Sequence, residues 1–248
     1  MTTAPSQALR RLVPARYRSQ IAGFVRPLRY RGDEVTCPCC DGRFSSFRHH
    51  RDVPDVRCPR CGALERHRML WLYFAQHSEL LADDLEILHF APEHSLRRLF
   101  ADRRRYVSAD LDSPLAQDQV DITAMPYNDE RFDGIICSHV LEHVPDDAAG
   151  MREMVRVLKT GGWAVVMCPV ANDRPRTYED AAVTTPEERL KHFRQEDHVR
   201  LYGRDFKDRL EAAGFRVEVD AFATRVDADL AARLRLNTDD EIYFCVKP

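Results

Sequence analysis

Short apolar runs alternate with segments of helical periodicity over the last two thirds of the chain. The apolar runs predict strands at 86–90, 105–109, 119–122, 132–137, 163–168, 215–221 and 241–246. The periodic segments predict helices near 94–102, 146–159, 187–195 and 204–213, and Gly161-Gly162 and Gly214 are predicted to end two of them. This alternation is typical of a largely parallel sheet covered on both faces. The last two strands are predicted to pair antiparallel at the sheet edge.

Cysteines are concentrated before this region, with five of the eight between Cys37 and Cys61. Cys37 and Cys40 form one C-x-x-C pair, and Cys58 and Cys61 form a second pair after 17 intervening residues. This spacing is typical of a zinc ribbon, in which four thiolates close a tetrahedral structural site. Two disulfides are the alternative, although nothing in the sequence indicates secretion. Cys39 is an alternative ligand to Cys40.

A helix is predicted at about 63–82, directly after the second cysteine pair, so the cysteine module is expected to dock on the α/β domain. The chain is therefore divided into an Arg-rich arm (1–34), a zinc-ribbon-like module (35–63) and an α/β domain (64–248). Within this domain, 170–205 is long and irregular, and it is expected to form an acceptor pocket or its lid.

Charge is distributed unevenly along the 248 residues. Residues 1–70 contain 14 Arg, no Lys and 6 acidic residues, a net charge of +8, so the remainder carries −11. A basic N-terminal region can bind nucleic acid. The alternative is that Arg is simply the usual basic residue of this protein, since it outnumbers Lys throughout the chain. No apolar run approaches the roughly 18–20 residues of a membrane span. We expect a cytoplasmic protein; an organelle transit peptide is the alternative for the acid-free N-terminus.

Ligands of parallel sheets bind outside the carboxyl ends of the strands. The first strand exits into a turn without glycine, Phe90-Ala91-Pro92-Glu93-His94, whereas nucleotide-binding turns normally contain several glycines. The second strand exits at Asp110-Leu111, where an acid can accept both hydroxyls of a ribose. The third strand exits at Asp121-Ile122, where Asp121 can accept an adenine amino hydrogen and Ile122 can pack on the ring.

Two motifs after these exits carry a family resemblance. "DITAMPYNDERFDGIICSHVLEHVPDD" followed by "MREMVRVLKTGGWAVVMCPV" resembles the class I S-adenosylmethionine-dependent methyltransferases of the methyltransferase-11 type, strongly over about 85–170. The resemblance implies a Rossmann-like, seven-stranded, mostly parallel sheet with an antiparallel last strand. It also implies that Asp110 binds ribose, that Asp121 and Ile122 bind adenine, and that Ser138 and His139 flank the methionine portion.

The glycine-free turn departs from this family. S-adenosylmethionine has no phosphate, so we expect Glu93 to bind its ammonium group and Arg66, or else His67 or Arg68, to bind its carboxylate. Phe90 is expected to place its ring near the sulfonium. The alternatives are that Glu93 is an acid favoured by the helix dipole, that Arg66 and Arg68 face solvent, and that the fold has lost the cofactor.

Candidate acceptor-binding residues come from the "LEHV" motif and the 170–205 insertion. They are His143, Tyr178, His192, His198, Arg200 and Tyr202. His139 or His198 is the candidate general base. Alternatively, His198 is a surface or capping residue, Glu142 and His143 order their loop, and in-line placement of the reactants suffices without a base.

The leading hypothesis is methyl transfer from S-adenosylmethionine to an O or N atom of a small molecule or biosynthetic intermediate, with a structural Zn²⁺. A second hypothesis is an RNA methyltransferase whose module and arm grip nucleic acid, although the chain lacks the N-P-P-[YF] motif after the fourth strand. A noncatalytic methyltransferase fold is the third. Neither the acceptor nor the oligomeric state follows from the sequence.

Overall fold

The computed structural model describes residues 28–100, 103–114 and 116–248. Most of the predicted Arg-rich arm, residues 1–27, lies outside the described residues. The strands are β1 (Val35–Cys37), β2 (Gly42–Phe44), β3 (Arg48–His50), β4 (Val53–Arg57), β5 (Ile87–Phe90), β6 (Tyr106–Asp110), β7 (Asp118–Gln119), β8 (Phe132–Ser138), β9 (Leu158–Met167), β10 (Arg216–Asp220) and β11 (Ile242–Val246).

Seven α-helices are formed by the described residues. They are α1 (Glu65–Gln76), α2 (His94–Phe100), α3 (Asp147–Val157), α4 (Pro186–Phe193), α5 (Phe206–Ala212), α6 (Phe222–Arg225) and α7 (Ala228–Leu234). Short 3-10 helices cover Ser78–Leu81 and Leu141–His143. The long helix predicted at 63–82 is therefore α1 followed by a 3-10 turn.

Seven strands form one sheet in the order β10-β11-β9-β8-β5-β6-β7. β5 to β9 are mutually parallel, whereas β11 is antiparallel to both β9 and β10. The mostly parallel sheet with a reversed last strand is thus confirmed. β11 lies between β9 and β10, so its N-terminal end reaches the edge at which the parallel strands end.

Side chains of the central strands alternate between two apolar cores, because successive residues of a strand point to opposite faces. Leu88 and Ile135 pack on one face with residues of α3 and α5. Ile87 and Ile136 pack on the other with residues of α1, α2 and α6. Burial of both faces explains why these strands are continuously apolar in sequence.

Two details differ from the predicted elements and one agrees. β9 begins at Leu158, directly after α3, so Gly161-Gly162 lie within a strand and do not end the helix. Gly214 does follow α5, with a φ of 115° that suits glycine. The short helices α6 and α7 were not predicted.

The cysteine module contacts the α/β domain through a buried arginine of α1. Arg68 is fully buried; its guanidinium donates to the carbonyls of Val56 and Ala63 at 2.9 Å and to that of Leu234 in α7. The guanidinium also lies 4.2 Å from the centre of the Phe47 ring. Arg68 therefore joins the module to two helices. The prediction that it faces solvent is wrong, and binding of a carboxylate stays a prediction.

Candidate functional site

A cavity of about 450 Å³ lies at the carboxyl ends of β5, β6 and β8; we call it the first cavity. Its size is typical of small-ligand sites. Seven of the predicted cofactor-binding residues line it: Phe90, Ala91, Asp110, Leu111, Asp121, Ile122 and His139. The sheet thus brings residues up to 49 positions apart in sequence to one site.

The two aspartates of the first cavity that were predicted to bind the cofactor, Asp110 and Asp121, are held by local turns. Asp110 Oδ1 accepts the backbone N–H groups of Asp112 at 2.9 Å and Ser113 at 2.7 Å. Asp121 Oδ1 accepts the backbone N–H of Thr123 at 2.8 Å and its hydroxyl at 2.7 Å. The hydrogen bond from the Thr123 backbone, together with that from its hydroxyl, lowers the pKa of Asp121, which therefore stays ionised as an acceptor.

Two residues lining this cavity have left-handed backbone conformations without being glycine. The φ of Ala91 is 47° and that of His139 is 55°. Each is tied to a neighbouring strand, since the Ala91 N–H donates to the Ala109 carbonyl and the His139 N–H to the Met167 carbonyl, both at 2.8 Å. Such conformations cost roughly 1–2 kcal/mol each and cluster at functional sites. The turn after β5 therefore adopts a backbone shape suited to glycine without containing one.

Glu93 lies outside the lining of this cavity and contacts two buried histidines. Its Oε1 lies 3.3 Å from His67 Nε2 and its Oε2 lies 3.4 Å from His89 Nε2. Burial alone would raise the pKa of Glu93, but the interactions with His67 and His89 outweigh it and lower the pKa below its usual range. The structure thus gives Glu93 a role in linking α1 to β5, and ammonium binding stays a prediction.

A second cavity, of about 330 Å³, adjoins the first. Its walls come from the β3–β4 hairpin, from Arg66 of α1, from the turn after β8 and from residues 193–201 of the insertion. His139 and His143 line both cavities, so the two meet at these side chains. Arg66 borders the second cavity and not the first, and its Nε has no hydrogen-bond partner among the described residues.

The junction of the cavities holds a buried carboxylate. Glu142 is 1% exposed, and its Oε1 lies 3.1 Å from His139 Nδ1. Burial would raise the pKa of Glu142, but His139 outweighs it and the pKa is lowered. Ligating atoms of Glu142, His143 and His198 all lie within 4.8 Å of one another. His198 is buried, and burial lowers its pKa, which keeps the imidazole neutral near pH 7.

Two residues predicted to bind the acceptor are structural instead. Arg200 is 2% exposed and donates to the carbonyls of Leu141 and Pro145 at 2.8 Å and to that of Val144. Tyr202 is fully buried and donates to Asp147 Oδ2 at 2.7 Å. Neither lines either cavity, because Arg200 joins the insertion to the turn after β8 and Tyr202 joins it to the start of α3.

Three other predicted residues also lie outside the walls of both cavities. Tyr178 pairs with His192, its hydroxyl 2.9 Å from Nδ1, and packs on Phe193. Ser138 is buried at the end of β8, and its hydroxyl has no hydrogen-bond partner among the described residues. The structure therefore does not bring these side chains into contact with either cavity.

Asp240 is a residue near the site that was not predicted. It precedes β11, which enters the sheet at the edge where the parallel strands end. Burial raises the pKa of Asp240, and the nearby charges of His139, Glu65 and Arg66 also act on it. Only the reversed direction of β11 brings Asp240 here, and periodicity alone contains no signal for that position.

The four predicted cysteine ligands form a compact cluster. The Sγ atoms of Cys37 and Cys61 are 3.6 Å apart and those of Cys40 and Cys58 are 3.7 Å apart. Tetrahedral zinc with Zn–S bonds of about 2.3 Å separates its sulfurs by about 3.8 Å, whereas a disulfide requires about 2.05 Å. Cys39 points elsewhere, with its Sγ 3.7 Å from the His67 carbonyl oxygen, so Cys40 belongs to the cluster.

Comparison with known families assigns the central part of the chain. Residues 85–166, about a third of the chain, match the family model described as "Methyltransferase domain", of the methyltransferase-11 type. These residues include β5, β6, β8 and most of β9. The match and the sheet order together identify a class I methyltransferase fold.

Characterised proteins match over similar short stretches. Ajmaline N-methyltransferase of Rauvolfia serpentina is 36% identical over 63 residues, 25% of this chain and 22% of the relative. Ubiquinone biosynthesis O-methyltransferase of Alkalilimnicola ehrlichii is 32% identical over 75 residues, 30% of each chain. The chain therefore matches less than a third of the length of these relatives.

Solved structures extend the likeness at the level of the fold. The YcgJ protein of Bacillus subtilis has a TM-score of 0.51 and 14% identity, covering 73% of this chain and 98% of that one. The 1,6-didemethyltoxoflavin-N1-methyltransferase of Burkholderia thailandensis, solved with S-adenosylhomocysteine bound, has a TM-score of 0.50 and 14% identity, covering 74% and 79%. Among the described residues, no helix is both long and apolar enough to cross a membrane.

Proposed function

We propose that the protein is an S-adenosylmethionine-dependent methyltransferase that methylates an O or N atom of a small molecule or biosynthetic intermediate. The observation that carries the proposal is the first cavity. Asp110 lines it from the end of β6, and Asp121 and Ile122 line it from the loop after β7, within a methyltransferase fold. The curated relatives named above methylate an alkaloid or act in ubiquinone biosynthesis, which supports a small-molecule acceptor.

The residues present fit the adenosine part of the cofactor. Val120 and Ile122 are buried apolar residues lining the first cavity, where a purine ring can pack. Asp110 and Asp121 offer carboxylate oxygens to the ribose hydroxyls and the adenine amino group. The glycine-free turn suits a ligand without phosphate, because Pro92 provides no backbone N–H to an anion.

The residues also fit the amino-acid end of the cofactor. Arg66 has a buried Nε without a hydrogen-bond partner among the described residues, and it can donate to a carboxylate. Asp240 lies near His139, and Glu93 lies near His67. The carboxylate of either residue can accept hydrogen bonds from an ammonium group. When bound, S-adenosylmethionine supplies a methyl group on a positively charged sulfur.

The second cavity is proposed as the acceptor site, because it meets the first at His139 and His143. Glu142 Oε1 lies 3.1 Å from His139 Nδ1, so a neutral His139 with its proton on Nδ1 would present the Nε2 lone pair as a base. His139 can then take the proton of an acceptor O–H or N–H group positioned in line with the methyl group. His198 is the alternative base in the same cavity.

Calorimetry with S-adenosylhomocysteine and with NAD tests the cofactor assignment. We expect S-adenosylhomocysteine to bind with one site per chain and NAD not to bind, since the turn cannot hold a pyrophosphate. Absence of S-adenosylhomocysteine binding would favour the noncatalytic hypothesis. Salt-dependent binding of RNA, measured in the same preparation, would instead favour the RNA methyltransferase hypothesis.

We further propose that Cys37, Cys40, Cys58 and Cys61 hold a structural Zn²⁺. The sulfur separations fit tetrahedral thiolate coordination, and four protein ligands leave no open position for catalysis. Arg98 donates to the carbonyl of Cys39 at 3.0 Å, so the metal loop is also tied to α2. The metal would thus fix the module that forms one wall of the acceptor cavity.

A further inference from the structure

The second cavity contains a set of metal-ligating side chains separate from the cysteine cluster. Ligating atoms of Glu142, His143 and His198 all lie within 4.8 Å of one another. Three ligands bound at about 2.0–2.2 Å to one tetrahedral ion lie roughly 3.3–3.6 Å apart. Side-chain movements of up to about 1 Å would therefore bring all three into coordination distance.

The Glu142 carboxylate independently indicates a missing ligand. Its Oε1 lies 3.1 Å from His139 Nδ1, and neither carboxylate oxygen has a hydrogen-bond partner among the described residues although the side chain is 1% exposed. A buried carboxylate oxygen without a partner is costly. A cation beside Oε2 would remove this cost.

The histidines are held in orientations that suit metal binding. His143 Nδ1 lies 3.2 Å from the Asp197 carbonyl oxygen, which favours a proton on Nδ1 and leaves the Nε2 lone pair for a metal. Histidine ligands in metalloproteins are commonly oriented by such an outer contact. The Val199 N–H donates to the Glu142 carbonyl at 2.9 Å, which fixes His198 beside the carboxylate.

We propose that Glu142, His143 and His198 bind a divalent transition-metal ion, whose open positions receive a hydroxyl oxygen of the acceptor. Imidazole nitrogens favour ions such as Mn²⁺, Fe²⁺, Co²⁺ or Zn²⁺ over Ca²⁺ and Mg²⁺, which prefer oxygen ligands. For its substrate class, this inference rests on the proposed methyltransferase function. The substrates would be hydroxylated small molecules, which are converted to methyl ethers.

The proposed step balances with the groups already described. Coordination lowers the pKa of the acceptor hydroxyl, and its proton passes to His139 Nε2. The oxygen forms a bond to the methyl carbon while the carbon–sulfur bond breaks. The electron pair of that bond stays on sulfur, so the sulfonium becomes a neutral thioether and the acceptor an ether.

Mn²⁺ titration of the zinc-loaded full chain, followed by electron paramagnetic resonance, tests the site. Mn²⁺ competes poorly for four thiolates, so it reports on the second site alone. We expect one Mn²⁺ to bind per chain. Mutation of outer-shell residues typically lowers metal affinity by roughly 10–100-fold. The loss should be at least as large in the three ligand variants Glu142→Gln, His143→Gln and His198→Gln. His50→Gln is the matched control, because His50 lines the same cavity outside the cluster and should leave Mn²⁺ affinity unchanged.

Failure of wild-type protein to bind Mn²⁺, or equal binding by all variants, would overturn the metal site. Zinc content and melting temperature identify a variant that fails to fold; His143→Gln, at a partly exposed position, then carries the test. Calorimetry with S-adenosylhomocysteine separates the two proposals. Mn²⁺ binding without cofactor binding refutes the methyltransferase function alone, and the reverse result refutes the metal site alone.

Discussion

His139 Nδ1 lies 3.1 Å from Oε1 of Glu142 at the junction of the two cavities. The φ of His139 is 55°, and its backbone N–H donates to Met167 in the neighbouring strand. The imidazole is therefore held by a carboxylate on one side and by a constrained backbone on the other. This arrangement places a histidine of constrained position between the proposed cofactor and acceptor sites.

Replacement of this histidine tests its proposed role as a base. For His139→Gln we expect a turnover number lower by about 10²–10⁴-fold, the usual contribution of a general base. The readout is single-turnover formation of S-adenosylhomocysteine with an acceptor that wild-type protein methylates. His77→Gln, at the far end of α1, is the control and should keep the wild-type rate. Equal rates in all three proteins would remove His139 from the mechanism.

Loss of Asp110 should weaken cofactor binding. We expect Asp110→Ala to reduce the binding free energy of S-adenosylhomocysteine by about 1–3 kcal/mol, through loss of charged hydrogen bonds. Calorimetry gives the difference directly. Asp84→Ala provides a matched control, since Asp84 is exposed before β5, at the opposite edge of the sheet. An unchanged affinity in Asp110→Ala would refute the ribose assignment.

The cysteine cluster predicts different outcomes for neighbouring cysteines. Cys58→Ser should lose zinc and lower the free energy of unfolding by more than about 4 kcal/mol, as expected for loss of a structural metal. Cys39→Ser should retain one zinc per chain, because Cys39 faces the His67 carbonyl and not the cluster. Metal analysis and urea unfolding give both quantities. A zinc-free, fully stable wild-type protein would contradict the assignment.

Arg200 should contribute to stability and not to acceptor binding. Its buried guanidinium donates to three backbone carbonyls, so Arg200→Ala should lower the free energy of unfolding by about 3–5 kcal/mol. Arg200→Lys keeps the charge but not the planar set of donors, and it should be intermediate. Urea unfolding distinguishes this role from acceptor binding, for which stability would be unchanged and KM would rise.

Acidification should destabilise the contact between α1 and β5. The pKa values of His67 and Glu93 are both lowered in the folded protein, so the unfolded chain binds more protons as the pH falls. Stability should decrease first below about pH 6.5 through His67, then below about pH 4.3 through Glu93.

Glu93→Gln should remove the Glu93 part of this acid dependence. Urea unfolding over a pH series should show the difference between variant and wild type shrinking progressively as the pH falls below about 4, because the unfolded chain then takes up a proton that folded Glu93 does not. Calorimetry of the same variant tests the ammonium role: weaker binding of S-adenosylhomocysteine with unchanged adenosine binding would support it. A pH profile identical to wild type would show that the two histidine contacts contribute nothing to stability.

The sequence by itself determined most of the order of strands and helices in the α/β domain, although not α6 and α7, and the ligand spacing of the cysteine pairs. These features are local, because periodicity records which face of an element is buried and C-x-x-C records a tight turn. Residues at strand exits, such as Asp110 and Asp121, also followed from the sequence. Parallel strands end at a common edge, so their exits meet whatever the details of packing.

Only the tertiary structure decided which polar side chains face the cavities. Arg200 and Tyr202 have the same polar character as His198, yet they bond to the turn after β8 whereas His198 borders the second cavity. Asp240 reaches the site because β11 runs antiparallel between β9 and β10. The partners of such residues lie many positions away in sequence, and a polar side chain is directed by those partners rather than by its own periodicity.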